Sequence, residues 1–392
     1  MSKFNFVVGC DTLVTALKKA SRVAFDGYRL VVNGSKKNKD GKSVLSIFAC
    51  DGNAQVTAAV YVTADGNNGN VVVGPEFANV IFTMAELKKD ITLDVEDNCV
   101  KVSCDGARTV IPVKEDIKSL APEKNDNTIC MRISTEKLKL AVAKGGFRPF
   151  TDDCRGLKNV IAFKPVLKDA GNLKLRCFTT DNNTIACCDV EVNSVTSTAD
   201  REVIYSLSCD KLISFVQLMD EEITDVFLNP AQVVFHNGND FFIFRALDNK
   251  YPDALEHVID DEAGKVVCRV KLGKAALNTA ISLAQLSGKK DLPIVLSQKG
   301  EKFVVEDSQG KASMSLEAEI EGEFETFYCS PDLFKAVVDK LCDKEVMLGF
   351  ISSVNPVFVS GEDNGAIAVA LPINPRTINR EKKEKQDSKE SK

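Results

Sequence analysis

The tripeptide Gly41-Lys42-Ser43 ends like a phosphate-binding loop, in which backbone N–H groups cradle phosphates and a lysine reaches toward them. Such a loop needs a glycine five residues before Gly41, and Lys36 stands there. The stretch 33–42 therefore reads as a hairpin loop ahead of a strand starting at Val44. Metal chemistry fares no better. Zinc sites ask for Cys or His paired at short fixed spacings, and this chain has 13 Cys and 2 His. Cys187 and Cys188 are adjacent, Cys99 and Cys104 are five apart, and no C-x-x-C occurs. The cysteines read as small buried hydrophobes. Neither His236, on an alternating strand, nor His257 has a nucleophile motif around it. With 56 carboxylates, an unlabelled acidic pair carries no weight. The expectation is a protein without catalytic residues, metal or cofactor.

What remains is binding, and the elements that would organise it. The 44% apolar and 27% charged content is that of a soluble globular protein, and 392 residues suggest two to three domains. Apolar runs are too short for a membrane span. The start Met1-Ser2-Lys3-Phe4-Asn5-Phe6 lacks the pattern of a secretory signal, so a cytoplasmic location with reduced thiols is expected. A net charge of −6 argues against a protein that coats nucleic acid. It leaves room for one that gathers its basic residues on a single surface.

The chain repeats itself. Phe48 to Val56, Phe178 to Ala186 and Val304 to Ala312 each read apolar strand, acidic-polar turn, alternating strand, and Asp51, Asp181 and Asp307 mark the turns. A second set, opening at Cys99, Gln232 and Pro356, moves by a similar stride, and the steps of the two sets span 124–133 residues. Helical spacing follows Asp11 (Leu13, Leu17, Ala20), Ser134-Thr135 (Leu138, Ala141, Val142), and covers Leu277, Ala280, Ile281 and Ala284. Each repeat has a second helix, at 75–84, 209–219 and 330–341. In the last, Ser330 is the N-cap, Pro331 the first helical residue, and Phe334, Val337, Val338 and Leu341 share a face.

The fold class expected is α+β, with each repeat made of two βαβββ-like halves. Polar stretches at 114–127 and 260–264 separate the repeats, giving domains 1–125, 126–260 and 261–375. The charged stretch 376–392 cannot bury a core.

Three segments carry a resemblance to the bacterial DNA sliding clamp, the beta subunit of DNA polymerase III. Thr179 to Ala186 resembles the family's A-T-D-G-H-R-L-A, Leu247 to Asp253 its I-D-G-x-F-P-D, and Ala370-Leu371-Pro372-Ile373 its closing V-M-P segment. The resemblance covers essentially 1–375. Asn182 replaces the usual Gly, Thr184 the usual Arg, His257 falls near another Arg, and Asn374 replaces a basic residue. The chain thus resembles a diverged copy, chromosomal or carried by a mobile element.

The resemblance implies a head-to-tail homodimeric ring of six domains, helices inside and sheets outside, encircling duplex DNA without reading its sequence. Helix residues facing the phosphates would be Lys18, Lys19, Arg22, Lys137, Lys144, Arg148, Lys274, Lys335 and Lys340. Arg29, Arg155 and Lys158 would join them from loops. A pocket for short peptide motifs of the polymerase, the clamp loader and other replication or repair proteins would use Leu157, Thr180, Asn182, Thr184 and Ile185 from the middle repeat. The connector would add Pro252, His257 and Val258, and the last repeat Ser330, Leu333, Val369, Leu371, Pro372 and Ile373. Ring closure would use Val110, Val113, Leu283 and Leu286. The rival reading is a repeat scaffold or interaction protein with no DNA role.

Overall fold

A computed structural model of the chain describes residues 3–122, 128–147, 159–167, 173–181, 183–196, 203–248, 257–261, 263–287, 292–362 and 365–373. Along them the order strand, helix, three strands recurs six times. The first repeat holds β1 (Phe4–Val8), α1 (Cys10–Ala20), β2 (Tyr28–Lys37), β3 (Ser43–Cys50) and β4 (Ala54–Ala64). Then come β5 (Gly69–Val73), α2 (Glu76–Ala85), β6 (Ile91–Val95), β7 (Cys99–Cys104) and β8 (Ala107–Pro112). The middle repeat holds β9 (Ile129–Ser134), α3 (Thr135–Gly145), β10 (Val160–Leu167), β11 (Leu173–Thr180) and β12 (Thr184–Glu191). After the short β13 (Ser194–Thr196) follow β14 (Tyr205–Ser208), α4 (Cys209–Val216), β15 (Ile223–Asn229), β16 (Gln232–Asn237) and β17 (Asp240–Arg245). The last repeat opens with β18 (Cys268–Gly273), α5 (Lys274–Ser287), β19 (Ile294–Lys299), β20 (Lys302–Asp307) and β21 (Ser313–Glu317). It closes, after β22 (Glu319–Glu321), with β23 (Phe327–Cys329), α6 (Pro331–Leu341), β24 (Glu345–Phe350), β25 (Val357–Ser360) and β26 (Ala366–Ala370).

Local chemistry explains these elements. Strands such as β3 alternate buried and half-buried residues, the period-two signature of a sheet with one face on the core. Helix α1 buries Leu13, Ala16, Leu17 and Ala20 on one stripe, and Asp11 lies in its first turn. Helix α6 starts as expected: the Ser330 side chain accepts from the Leu333 N–H, with Pro331 at the first turn. The 33–42 loop is shorter than expected, because β2 continues to Lys37 before turning into β3. The second connector is not bare loop either: it forms a single π-helical turn, His257–Asp261, then a 3-10 turn, Ala263–Lys265. The stretches 123–127 and 374–392 lie outside the described residues.

The chain packs as two compact units that divide the middle repeat. One comprises Met1–Lys139, Asp169–Leu173 and Glu191–Leu247; the other comprises Leu140–Lys168, Lys174–Val190 and Asp248–Lys392. In the first, a sheet runs β13-β9-β15-β16-β17-β4-β1-β6-β7-β8, with β2, β3 and β5 branching from it. In the second, β10-β11-β12-β26-β25-β24-β18-β22 form one sheet and β21-β20-β19-β23 another. Strand pairing causes the division. β17 joins β4 with Phe242 opposite Val56, and β12 joins β26 with Ile185 opposite Val369. Each ladder hydrogen-bonds two sequence repeats into one sheet. Among the described residues, no helix is long and apolar enough to cross a membrane.

Candidate functional site

In the second unit, the β12–β26 ladder gathers most of the expected pocket residues. Thr184 stands opposite Ala370 and Ile185 opposite Val369. The pairing extends past the strand, where the Leu371 N–H donates to the Asn183 carbonyl at 3.0 Å. The chain then turns toward β23, and the Ile373 N–H donates to the Tyr328 carbonyl at 2.8 Å. Behind this seam the turn after β11 is locked by one carboxylate. Asp181 Oδ1 accepts from the N–H of Asn183 (3.0 Å), the N–H of Thr184 (2.7 Å) and the Thr184 hydroxyl (2.8 Å). The Thr180 hydroxyl donates to the Thr184 carbonyl at 2.8 Å. An Asx-type turn of this kind fixes the hairpin and with it the register of β12.

The pocket residues thus fall into two layers. Thr180, Ile185 and Val369 are buried on one face and form a floor, while Thr184, also buried, points to the opposite face of β12. Leu371 is 46% exposed, and Val258, Ser330, Leu333, Pro372 and Ile373 are half-buried, so these can meet a ligand. For Thr184 this corrects the expected contact role, since its hydroxyl is spent on Asp181. Leu157, Asn182 and Pro252, together with the side chain of His257, lie outside the described residues.

Sequence reasoning missed an ionic cluster beside this floor. Arg176 on β11 is 2% exposed, and its guanidinium donates to both oxygens of Asp189 on β12 and to both of Asp260 in the connector. Burial disfavours the charge, but the bonds to Asp189 and Asp260 outweigh it and hold the guanidinium pKa above its ordinary value. The signal was present: strand alternation puts Arg176 on the same side as Phe178 and Thr180, and an inward arginine demands carboxylates.

The residues expected to face DNA divide sharply. Lys18, Arg22 and Lys340 are exposed; Lys137 is exposed and paired with an equally open Glu191 at 2.9 Å. Lys19 overturns its expectation. Its side chain is 8% exposed, with Nζ 2.6 Å from Asp240 Oδ2 and 3.0 Å from Asp220 Oδ2. In α1, position 19 follows Leu13, Ala16 and Leu17 onto the buried stripe, which draws its stem inward. A pocket of about 390 Å³ opens at this pair, lined among others by Asp11, Thr15, Glu221 and Asn239.

Lys144 and Lys274 are also engaged by protein, and both cap the same helix end. Lys144 Nζ donates to the carbonyls of Lys340 (2.9 Å) and Leu341 (3.0 Å), and Lys274 Nζ to those of Asp339 (2.9 Å) and Cys342 (2.7 Å). The last carbonyls of α6 have no helical partners, so cations there are doubly favoured. Lys335 donates to Ser282 at 2.9 Å, and Arg29 binds Asp116 and the Ile117 carbonyl. Arg148, Arg155 and Lys158 lie outside the described residues.

Of the expected closure residues, Val110 is 59% exposed on β8, the last strand of its sheet path, and Leu286 is 85% exposed on α5, with Leu283 exposed one turn earlier. Val113 is half-buried and bridges Val73 within the chain. Among the described residues no group of His, Cys, Asp and Glu is placed to hold a metal ion.

Comparison with known proteins adds the following. No family model matches the chain. A sequence match reaches the beta sliding clamp of Bacillus subtilis (strain 168), 21% identical over 248 residues, or 62% of this chain. The matched segment spans 64% of that curated relative's length. The fold is similar to that of the Pseudomonas aeruginosa sliding clamp bound to griselimycin, at TM-score 0.78 and 17% identity, covering 95% of this chain and 100% of that one. It is also similar to the Bacillus subtilis sliding clamp, at TM-score 0.73 and 17% identity, with the same coverage. The α+β architecture expected from the repeats is theirs. The chain has the fold of these bacterial sliding clamps.

Proposed function

We propose that this protein is a DNA polymerase processivity factor: a ring that encircles duplex DNA, catalyses nothing itself, and holds partner proteins by short peptide motifs. The observation that carries the reading is the β12–β26 seam. It brings the turn after β11 and the Leu371-Pro372-Ile373 segment side by side over a buried floor. The three segments that suggested the family are spread across the sequence, and two of them meet here.

Three sequence repeats per chain make two chains the natural ring, giving six domains. The open β8 end with Val110 and the exposed Leu283 and Leu286 supply apolar surface for closure. DNA would be met by Lys18, Arg22, Lys137 and Lys340, a modest set of phosphate contacts suited to sliding. Replicative polymerase and clamp loader are the partners this implies, in the cytoplasm. A bound peptide gains about 1.5–3 kcal/mol for each large apolar side chain it buries. After ordering costs, micromolar affinity follows.

The test is retention on DNA. Loaded onto a closed circle, the protein should stay bound through moderate salt and be released when the circle is cut. A scaffold with no DNA role would show neither behaviour, and release indifferent to cutting would rule out a topological link.

A further inference from the structure

We propose that Arg176 and Asp260 form a latch that sets the connector against the peptide pocket, making Arg176 a positioning residue for peptide capture. This rests on the pocket reading above. The guanidinium is held from one side and offers its other edge. Nε and Nη2 donate to Asp189 Oδ1 and Oδ2 at 2.8 and 3.0 Å, while Nη1 and Nη2 donate to Asp260 Oδ2 and Oδ1 at 2.6 and 2.9 Å. The two carboxylates differ in setting. Asp189 belongs to β12 and is nearly buried, so it fixes the arginine within the sheet; Asp260 is half-exposed on the connector. One arginine facing two acids is a planar fork filled on both sides, a geometry lysine cannot reproduce.

Placement gives the latch its consequence. Strand alternation puts Arg176 on the same face of β11 as Thr180, and Asp189 on the same face of β12 as Ile185. The Arg176–Asp189 pair shows that these two faces are one. Asp260 is therefore drawn onto the face whose far end is the pocket floor. It brings with it the π-helical turn His257–Asp261, which carries two residues assigned to the pocket, His257 and Val258. Such turns are rare and need support from their surroundings. Here the support is Ile259, buried, and Asp260, ion-paired. Without the ion pair, the peptide would have to order the connector as it binds, and affinity would fall.

The experiment compares wild type with Asp260→Asn and Asp260→Glu, using a labelled Gln/Leu/Phe-type clamp-binding peptide followed by fluorescence anisotropy. Asparagine keeps the shape and removes the charge, and the half-exposed site lets the variant fold. The expected result is roughly tenfold weaker peptide binding for Asp260→Asn. Solution mass and thermal midpoint should be unchanged, and Asp260→Glu should recover most of the affinity. Wild-type binding with an unaffected Asp260→Asn variant would overturn the latch and leave the pocket standing. Loss of peptide binding that tracks a fall in solution mass or thermal midpoint would overturn it too, as a general structural effect. Failure of the wild type itself to bind the peptide would remove the pocket reading, and the latch with it.

Discussion

Lys19 and Asp240, 221 positions apart in sequence, meet with Nζ 2.6 Å from Oδ2, and both side chains are nearly out of solvent. The second carboxylate oxygen of Asp240 accepts from the Ala59 N–H at 3.1 Å. The pair therefore ties helix α1 and strand β4 to the start of β17, inside one compact unit.

Removing the lysine leaves that carboxylate buried without its cation. Lys19→Met should destabilise the protein by about 3 kcal/mol in urea unfolding, the range for an orphaned buried charge. Asp220→Asn should cost well under 1 kcal/mol, because Asp220 is open to water. Equal effects of the two changes would show that the buried pair is not the anchor.

The same pair has a pH signature. Burial lowers the Lys19 pKa, but its bonds to Asp240 and Asp220 outweigh that and leave it raised above 10.5. A raised folded-state pKa gives stability that is complete below the unfolded value and lost as pH climbs through the folded one. Wild type should therefore hold this contribution through neutrality and shed it above about pH 10.5. In Lys19→Met that part of the alkaline decline should be missing from thermal midpoints measured between pH 8 and 11.5.

DNA retention should separate the free cations from the committed ones. Changing Lys18, Arg22 and Lys340 together to Ala should flatten the salt dependence of DNA binding by a few units of log–log slope, about 0.9 per lost phosphate contact. Lys144→Ala and Lys274→Ala should instead lower the thermal midpoint, since each uncaps α6, and change the slope little. The opposite assignment would mean that the helix-capping lysines turn outward on DNA.

Leu371 gives the sharpest separation of pocket from core. With nearly half its surface exposed, Leu371→Ala should cost at most about 1 kcal/mol of stability but weaken peptide binding roughly tenfold. Val369→Ala, in the floor, should do the reverse, loosening the fold first. Isothermal titration beside urea unfolding decides between them.

The buried thiols should be inert. Burial pushes the Cys188 thiol up to about 12 and Cys342 up to about 11, and raises Cys177, Cys187 and Cys329 as well. At pH 8 the reactive thiolate is therefore nearly absent at these sites. Peptide mapping after brief iodoacetamide treatment should find them unmodified, with half-buried Cys99 and Cys130 labelled first among the cysteines of the described residues. Rapid labelling of Cys188 in the folded protein would contradict its placement.

Much of this was legible in the residues. The stride from Asp51 to Asp181 to Asp307 announced the repeats, because each aspartate closes a hairpin turn with its Oδ1: Asp51 accepts from Ala54, Asp181 from Thr184 and, across a turn two residues longer, Asp307 from Ala312. Ser330-Pro331 announced a helix start because capping is local. What stayed hidden depends on partners far along the chain. Helical spacing alone could not show that Lys19 turns toward Asp240 while Lys18 stays in water. Nor could it show that Lys144 and Lys274 converge on one helix end. The ionic fork at Arg176 needs Asp260, which read as part of a polar linker until the sheet placed it.

The β4–β17 ladder has a consequence for how the chain is made. The Ala54–Thr57 edge emerges from the ribosome about 185 residues before Phe241–Phe244, its partners. At ordinary elongation rates that edge waits on the order of ten to forty seconds with its hydrogen-bonding groups unmatched. During that interval the nascent first repeat presents an open strand to its neighbours on the same polysome. Slowing translation between these segments should raise the insoluble fraction of newly made protein. Such a ladder makes timing, as well as sequence, part of the recipe for the fold.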